Sequence, residues 1–312
     1  MRSATLPNRN DKILPMSVPA AYLGVILIWS TTPLGIQWSA QGASFSFAVM
    51  ARMLIGLAIC LLLLRATRTE YPFTAAARRL YATSGLSMFV AMLLTYWGAL
   101  HIPSGLISVI FGLSPLVTGV FAALWLSERT LTPLRLAGLG LALAGLWLIF
   151  GQPWPGDGRA TLGTAAVVAG MTAQALGLVW IKRLNVRASA LAITTGSLGV
   201  ATPLFVLAWV VADAARLPTE ITPRAGLAIV YLGVLGSVVG FTLYYYVIKH
   251  LDAARVALIT LVTPVAALLL GQTVNAETIP PAGWAGIALI GAGLVMYEWR
   301  ALRAFRSAPS SR

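Results

Sequence analysis

The chain has 312 residues, of which 58% are hydrophobic and 10% charged, and its mean hydropathy is +0.84. A water-soluble domain cannot bury so much apolar surface, so this composition excludes a soluble enzyme, a secreted disulfide scaffold and a disordered protein. The net charge of +13 would suit nucleic-acid binding in a soluble protein. In a chain this apolar, basic residues instead mark cytoplasmic loops, and we expect no nucleic-acid partner.

A helix that spans a bilayer needs roughly 20 mostly apolar residues. Taken in chain order, windows of that kind predict an all-α integral membrane protein with ten transmembrane helices: 17–38, 44–64, 80–100, 104–126, 131–150, 161–181, 188–211, 225–248, 256–275 and 282–299. With the N-terminus inside, the inner segments hold 18 Lys and Arg residues and the outer segments hold three. This asymmetry follows the positive-inside rule and predicts a multi-pass protein of the inner (cytoplasmic) membrane with both termini cytoplasmic.

The two halves of the sequence resemble each other. Pro115 is followed 13 residues later by Glu128, and Pro264 is followed by Glu277 at the same distance. Each glutamate precedes a proline and then two glycines seven residues apart. The matches occur in the same order in both halves, which indicates an internal duplication.

The duplication predicts two repeats of five helices each, covering 17–150 and 161–299. Because five is odd, the second repeat enters the membrane from the opposite side. Inverted repeats of this kind are typical of secondary transporters, whose substrate sites lie near the midplane between the repeats. A duplication without transport is the alternative.

The chain resembles the ten-helix EamA-type members of the drug/metabolite transporter superfamily over nearly its whole length. The resemblance rests on motifs in both halves: Trp29-Ser30, Arg52, Ser114-Pro115 through Glu128 and Gly138, and Thr263-Pro264 through Glu277 and Gly286. Within the superfamily it is most similar to aromatic amino-acid exporters of the YddG type. The resemblance implies the ten-helix fold and a transport function, and it says little about the substrate.

Candidate substrate-binding residues are polar groups and aromatic rings in the spans. Pro115 and Pro264 each remove a backbone donor near the middle of a span, and such backbone is tolerated only inside protein or beside a wet cavity. A kink used only for packing is the alternative, as is interhelical bonding for the amide of Gln174. The predicted substrate-binding residues are Trp29, Thr32, Tyr96, Ser114, Gln174, Trp180, Tyr245, Thr260 and Thr263.

Two tyrosines occupy equivalent positions in the repeats. Tyr96 lies near the outer end of its span and Tyr245 near the inner end of its own. We therefore predict that Tyr96 belongs to an outer gate and Tyr245 to an inner gate. The alternative is that both belong to the aromatic belt at the membrane interfaces.

Charged residues are rare inside the spans. Arg52 is the only charge clearly within one, where it is either functional or directed toward the interface or neighbouring carbonyl groups. Glu128 and Glu277 precede the fifth and tenth helices and are expected to cap those helices, which we interpret as scaffold.

No acidic residue lies at a predicted midplane, so the sequence disfavours lipophilic cations as substrates and coupling through a carboxylate in the membrane. We predict a non-enzymatic, alternating-access transporter of small metabolites, with facilitated amino-acid export as the leading hypothesis. A drug, sugar or nucleoside transporter is the alternative, followed by a membrane enzyme. The expected partners are the small-molecule substrate and the lipid bilayer, without a metal or cofactor, in a monomer or homodimer.

Overall fold

The computed structural model describes residues 17–126, 132–150, 158–186, 188–251, 253–299 and 302–303. The described residues are 85% helical, and they contain no β-strand. Those ranges form, in order, α1 Val18–Gly42, α2 Phe45–Thr67, α3 Ala75–Gly98, α4 Ser104–Gly112, α5 Ser114–Leu126, α6 Pro133–Phe150, α7 Ala160–Leu184, α8 Ala190–Asp213, α9 Pro223–Tyr231, a π-helical segment Leu232–Val239, α10 Gly240–His250, α11 Ala253–Asn275 and α12 Pro281–Tyr297.

Seven segments of the described chain are long and apolar enough to cross a membrane. Three shorter apolar helices accompany them, namely Pro133–Ile149, Ile259–Asn275 and Pro281–Tyr297. The prediction of an all-α, multi-pass membrane protein is therefore confirmed.

Proline interrupts one predicted span and leaves another continuous. The span predicted at 104–126 is divided, because α4 ends at Gly112 and α5 begins at Ser114, one residue before Pro115. Pro264 instead lies inside the continuous helix α11. The two proline regions are neighbours, since a Cβ on Gly112 would lie 3.2 Å from Cγ of Pro264.

Glycines allow several helix pairs to pack with their backbones close together. A Cβ on Gly138 of α6 would lie 2.5 Å from the carbonyl oxygen of Gly293 on α12. A Cβ on Gly145 would lie 2.5 Å from the carbonyl oxygen of Gly286 on the same helix. Only a residue without a side chain fits at such positions, as is common where membrane helices associate. By contrast, Gly140 has no such neighbour within 4 Å.

The helices that surround the candidate site come from both halves of the chain. Helix α2 packs against α8 and the π-helical segment, α4 packs against α11, and α1 packs against α9, α10 and α11. The main hydrophobic core extends along α2, α3 and α4 and includes buried Tyr96 and Leu106. Polar side chains inside this core are therefore held away from lipid and water.

Candidate functional site

Arg52 lies inside the helix bundle. It is seven residues, or about 10 Å along the axis, from the first residue of α2, and it is 5% exposed. Its Nε donates a hydrogen bond to Oγ of Ser237 (3.1 Å), and its Nη1 donates a long one to the hydroxyl of Tyr96 (3.5 Å). The side chain thus neither extends toward the interface nor caps neighbouring carbonyls, the two structural roles that the sequence left open.

The partner of Arg52 in the second half lies on the π-helical segment Leu232–Val239. The π-helix is rare and occurs frequently at functional sites, because it displaces side chains from their α-helical positions. Two glycines adapt this segment to α2: a Cβ on Gly233 would lie 2.7 Å from Cγ2 of Ile55, and one on Gly236 would lie 3.4 Å from Nη2 of Arg52. We call Arg52, Tyr96, Ser237 and Gly236 the Arg52 cluster.

The acids that the structure describes lie outside this cluster, at or beyond helix ends. Glu70 follows α2, Asp213 ends α8, and Glu277 lies between α11 and α12. Asp213 accepts hydrogen bonds from the hydroxyls of Ser44 and Ser46 at the beginning of α2. Within the described residues, the partners of Arg52 are therefore neutral hydroxyl groups and include no carboxylate.

A second polar group joins α1, α4 and α11. Asn275 Nδ2 donates to Oε1 of Gln37 (2.9 Å) and to Oε1 of Glu277 (3.0 Å), while Asn275 Oδ1 accepts from the indole of Trp38 (2.9 Å). Glu277 also accepts from Oγ of Ser104 (2.6 Å) and from its backbone N–H (3.0 Å). We call these five residues the Glu277 network.

The Glu277 network corrects one prediction. Glu277 does cap a helix, but its Oε2 accepts from the backbone N–H of Gly105 (3.3 Å), the second residue of α4. The expected partner, α12, has Pro280 at its N-cap and no side-chain cap. The carboxylate therefore complements the positive end of α4, which is distant in sequence but adjacent in space. The equivalent prediction for Glu128 lies outside the described residues.

From the middle of α1 toward its N-terminus, aromatic rings replace the polar contacts. The rings of Trp29 and Tyr244 lie 4.6 Å apart, and they pack beside a small apolar cluster that includes Val25, Val247 and Ile259. The side chain of Tyr245, the predicted inner gate, lies outside what the structure describes.

The remaining predicted site residues differ in their surroundings. Thr32 donates to the carbonyl oxygen of Ile28 on its own helix (2.7 Å). Ser114, Gln174 and Thr260 are half-buried, and Thr263 is buried. Of the nine residues, the structure places Tyr96 in the Arg52 cluster, where its side chain is fully buried.

Trp180 lies on the surface. Its side chain is 42% exposed, its ring lies 6.0 Å from that of Trp125, and the guanidinium of Arg183 lies 5.2 Å from its centre. An exposed tryptophan beside an arginine near a helix end is typical of an interfacial anchor.

Several polar contacts were not among the sequence-based candidates. The predicted substrate-binding residues do not include Arg52, although its charge is unusual within a span. They also do not include Ser237, Gln37 and Asn275. Ser237 is a lone hydroxyl in an apolar run, which by itself carries little information. Gln37 and Asn275 are amides in or beside apolar spans, and amides need partners, so they could have been found.

Comparison with known proteins identifies relatives over nearly the whole chain. The model of the EamA-like transporter family matches residues 17–151 and again residues 161–298. A protein of Streptantibioticus cattleyicolor named as a probable terminal-alkyne amino-acid exporter is 28% identical over 87% of this chain and 88% of its own length. The uncharacterized inner membrane transporter YedA of Escherichia coli is 25% identical over 61% of this chain and 60% of its own.

A solved structure has a similar fold. It superposes with a TM-score of 0.62 at 19% sequence identity, over 91% of this chain and 98% of that chain. At this identity the similarity concerns the fold alone.

Proposed function

The chain belongs to the EamA-like transporter family of the drug/metabolite transporter superfamily, and we propose that it is an alternating-access exporter of amino acids. In this proposal the five-helix repeats at 17–150 and 161–299 have opposite orientations in the inner membrane, and both termini are cytoplasmic. The family model matches two successive segments, each of which contains five apolar helical segments of span length or somewhat shorter, and this supports the proposed architecture.

The contact between α6 and α12 is the main observation behind the proposed inverted repeat. Gly138 touches Gly293, and Gly145 touches Gly286, so the two helices run antiparallel. The sequence repeat pairs Gly138 with Gly286 and Gly145 with Gly293 to within one residue. Exchanging the repeats therefore converts one contact into the other, as a two-fold axis requires. An axis that relates antiparallel spans lies in the membrane plane, which is the geometry of an inverted repeat.

Two groups of contacts along α1 support alternating access. In the proposed orientation the Glu277 network lies at the outer end and joins Gln37 of the first repeat to Asn275 of the second. The cluster around Trp29 and Tyr244 lies along the N-terminal half of α1, toward the inner side, and also joins the repeats. Opening one set of contacts while the other stays closed would expose a central site to each side in turn.

Amino acids are proposed as substrates because of the exporter relative and the chemistry of the bundle interior. The name of the Streptantibioticus protein supplies the substrate class. Buried hydroxyl groups and aromatic rings suit a zwitterion with an apolar side chain. The described acids lie at or beyond helix ends, so we propose facilitated transport without a carboxylate that carries protons through the membrane.

Flux measurements in proteoliposomes test this function. Vesicles loaded with radiolabelled L-phenylalanine, L-leucine or L-methionine should release the amino acid down its gradient, and an imposed pH gradient should not drive accumulation. Protein-free vesicles give the background leak. If none of the amino acids moved above that leak while a sugar or nucleoside did, the other solute class would replace this proposal, and accumulation driven by pH would overturn the uncoupled mechanism.

A further inference from the structure

We propose that the guanidinium of Arg52 binds the carboxylate group of the transported solute. This inference rests on the transport function proposed above and specifies the chemical group that the central site recognises. The site consists of Arg52, the two hydroxyl groups of Tyr96 and Ser237 that orient it, and the space beside Gly236.

The charge of Arg52 requires a partner that the described residues do not supply. An arginine side chain stays protonated in proteins, and burying an ion without a counter-charge costs several kcal/mol. The contacts with Ser237 and Tyr96 give the guanidinium hydrogen bonds but no negative charge. An anion that enters the bundle would offset this cost, so the site favours anionic groups.

The geometry favours a planar anion with two oxygens. Oγ of Ser237 accepts the hydrogen bond from Nε and fixes the plane of the guanidinium. The hydrogen bond from Nη1 to Tyr96 is long, at 3.5 Å. A Cβ on Gly236 would lie 3.4 Å from Nη2 and 3.4 Å from Cδ2 of Leu232, so the glycine leaves a gap the size of a methyl group beside that nitrogen. A carboxylate can accept two parallel hydrogen bonds from such an edge, which gives both affinity and orientation.

The location of the site explains how binding could be linked to transport. Arg52 belongs to the first matched segment and Ser237 to the second, 185 residues later. A movement of one repeat relative to the other would change the orientation of the guanidinium. The carboxylate would thus be held most tightly in one arrangement of the repeats, which is how a ligand shifts a conformational equilibrium.

Matched ligand pairs test the proposal directly. Binding to the purified full-length protein is measured by calorimetry for L-phenylalanine against L-phenylalaninamide, and for hydrocinnamate against its amide. The second pair contains no ammonium group and so isolates the carboxylate. We expect each carboxylate to bind roughly tenfold to a hundredfold more tightly than its amide, as for a hydrogen-bonded charge pair. Equal affinities within both pairs would overturn the proposal.

Substitutions then assign the effect to the cluster. Gly236→Ala places a methyl group about 3.4 Å from Nη2 and should weaken carboxylate binding while leaving the affinity for the amides nearly unchanged. Gly199→Ala is the matched control, because a Cβ at that helical position meets nothing within 4 Å. Arg52→Gln should abolish the preference for carboxylates and Arg52→Lys should restore part of it. If Arg52→Gln does not fold, Gly236→Ala and Ser237→Ala decide the question, and unchanged carboxylate affinity in both refutes the assignment.

Two further measurements separate this inference from the transport function and from simple anions. Flux without a preference for carboxylates over amides would leave the transport function intact and remove the carboxylate site. Selective carboxylate binding without flux would support the site and refute the transport proposal. Binding of chloride or phosphate that depends on Arg52, without binding of the organic carboxylates, would make an inorganic anion the ligand and overturn the proposal.

Discussion

Replacing Glu277 with glutamine should loosen the contact between α4 and α11. The carboxylate accepts two bonds from Ser104 and one from the N–H of Gly105. Glutamine keeps one oxygen but presents an N–H₂ group to the other donor, so at least one charge-assisted bond is lost, at about 1.5–3 kcal/mol. The lost negative charge at the start of α4 adds roughly 0.3–1 kcal/mol. Local opening should therefore become easier by about 2–4 kcal/mol.

Hydrogen exchange at the beginning of α4 measures this change. In the regime where closing is fast, 2–4 kcal/mol corresponds to amide exchange about 30- to 900-fold faster in a peptide covering Ser104–Gly112. Glu220→Gln is the matched control, because Glu220 is exposed between α8 and α9. Exchange in Glu277→Gln that matched this control would show that the carboxylate does not hold the start of α4, and the reasoning would fail.

Two other predictions concern stability. Gly145→Ala should lower the free energy of unfolding in detergent by about 1–3 kcal/mol, because its Cβ would lie 2.5 Å from the carbonyl oxygen of Gly286. Gly140→Ala is the control and should be tolerated. Equal stability of the two variants would contradict the close contact between α6 and α12. Burial raises the pKa of Glu298, an effect that nearby Arg135 partly opposes. The unfolded state therefore loses this proton at lower pH than the folded state does. As the pH rises above the ordinary pKa of a glutamate, the wild type should lose stability relative to Glu298→Gln, measured by thermal unfolding over a series of pH values. Parallel pH profiles would contradict this expectation.

The sequence predicted the helical membrane fold because long apolar runs are sufficient evidence for spans. It could not predict how the spans face one another. Gly140 and Gly145 both belong to small-residue patterns on α6, yet only Gly145 meets a neighbouring backbone. Glu277 was expected to cap the helix that follows it, whereas it caps α4, whose first residue lies 173 positions earlier. Helix ends that meet in space are set by tertiary packing, which local sequence rules do not contain.

The candidate site was only partly predictable for the same reason. The rarity of charge in the spans marks Arg52 as unusual, and the repeat pairs Tyr96 with Tyr245. Their proximity depends on the packing of α2 against α3, and the contribution of Ser237 depends on a π-helical segment that periodicity did not reveal. Aromatic residues were less informative, since Trp180 is exposed beside Arg183, while Trp29 packs inside the bundle.

The two kinds of contact between the matched segments suit different roles in alternating access. At α6 and α12 the segments meet backbone to backbone at Gly138 and Gly145, where even an added Cβ would clash with a facing carbonyl oxygen. Packed surfaces of this kind resist continuous deformation, so in the proposed mechanism this contact would serve as the pivot. At Arg52–Ser237 and Gln37–Asn275 the segments are joined through side-chain hydrogen bonds, which can break and re-form with water or a ligand. The proposed carboxylate site therefore lies at a junction that can change its partners, and the pivot lies at one that cannot.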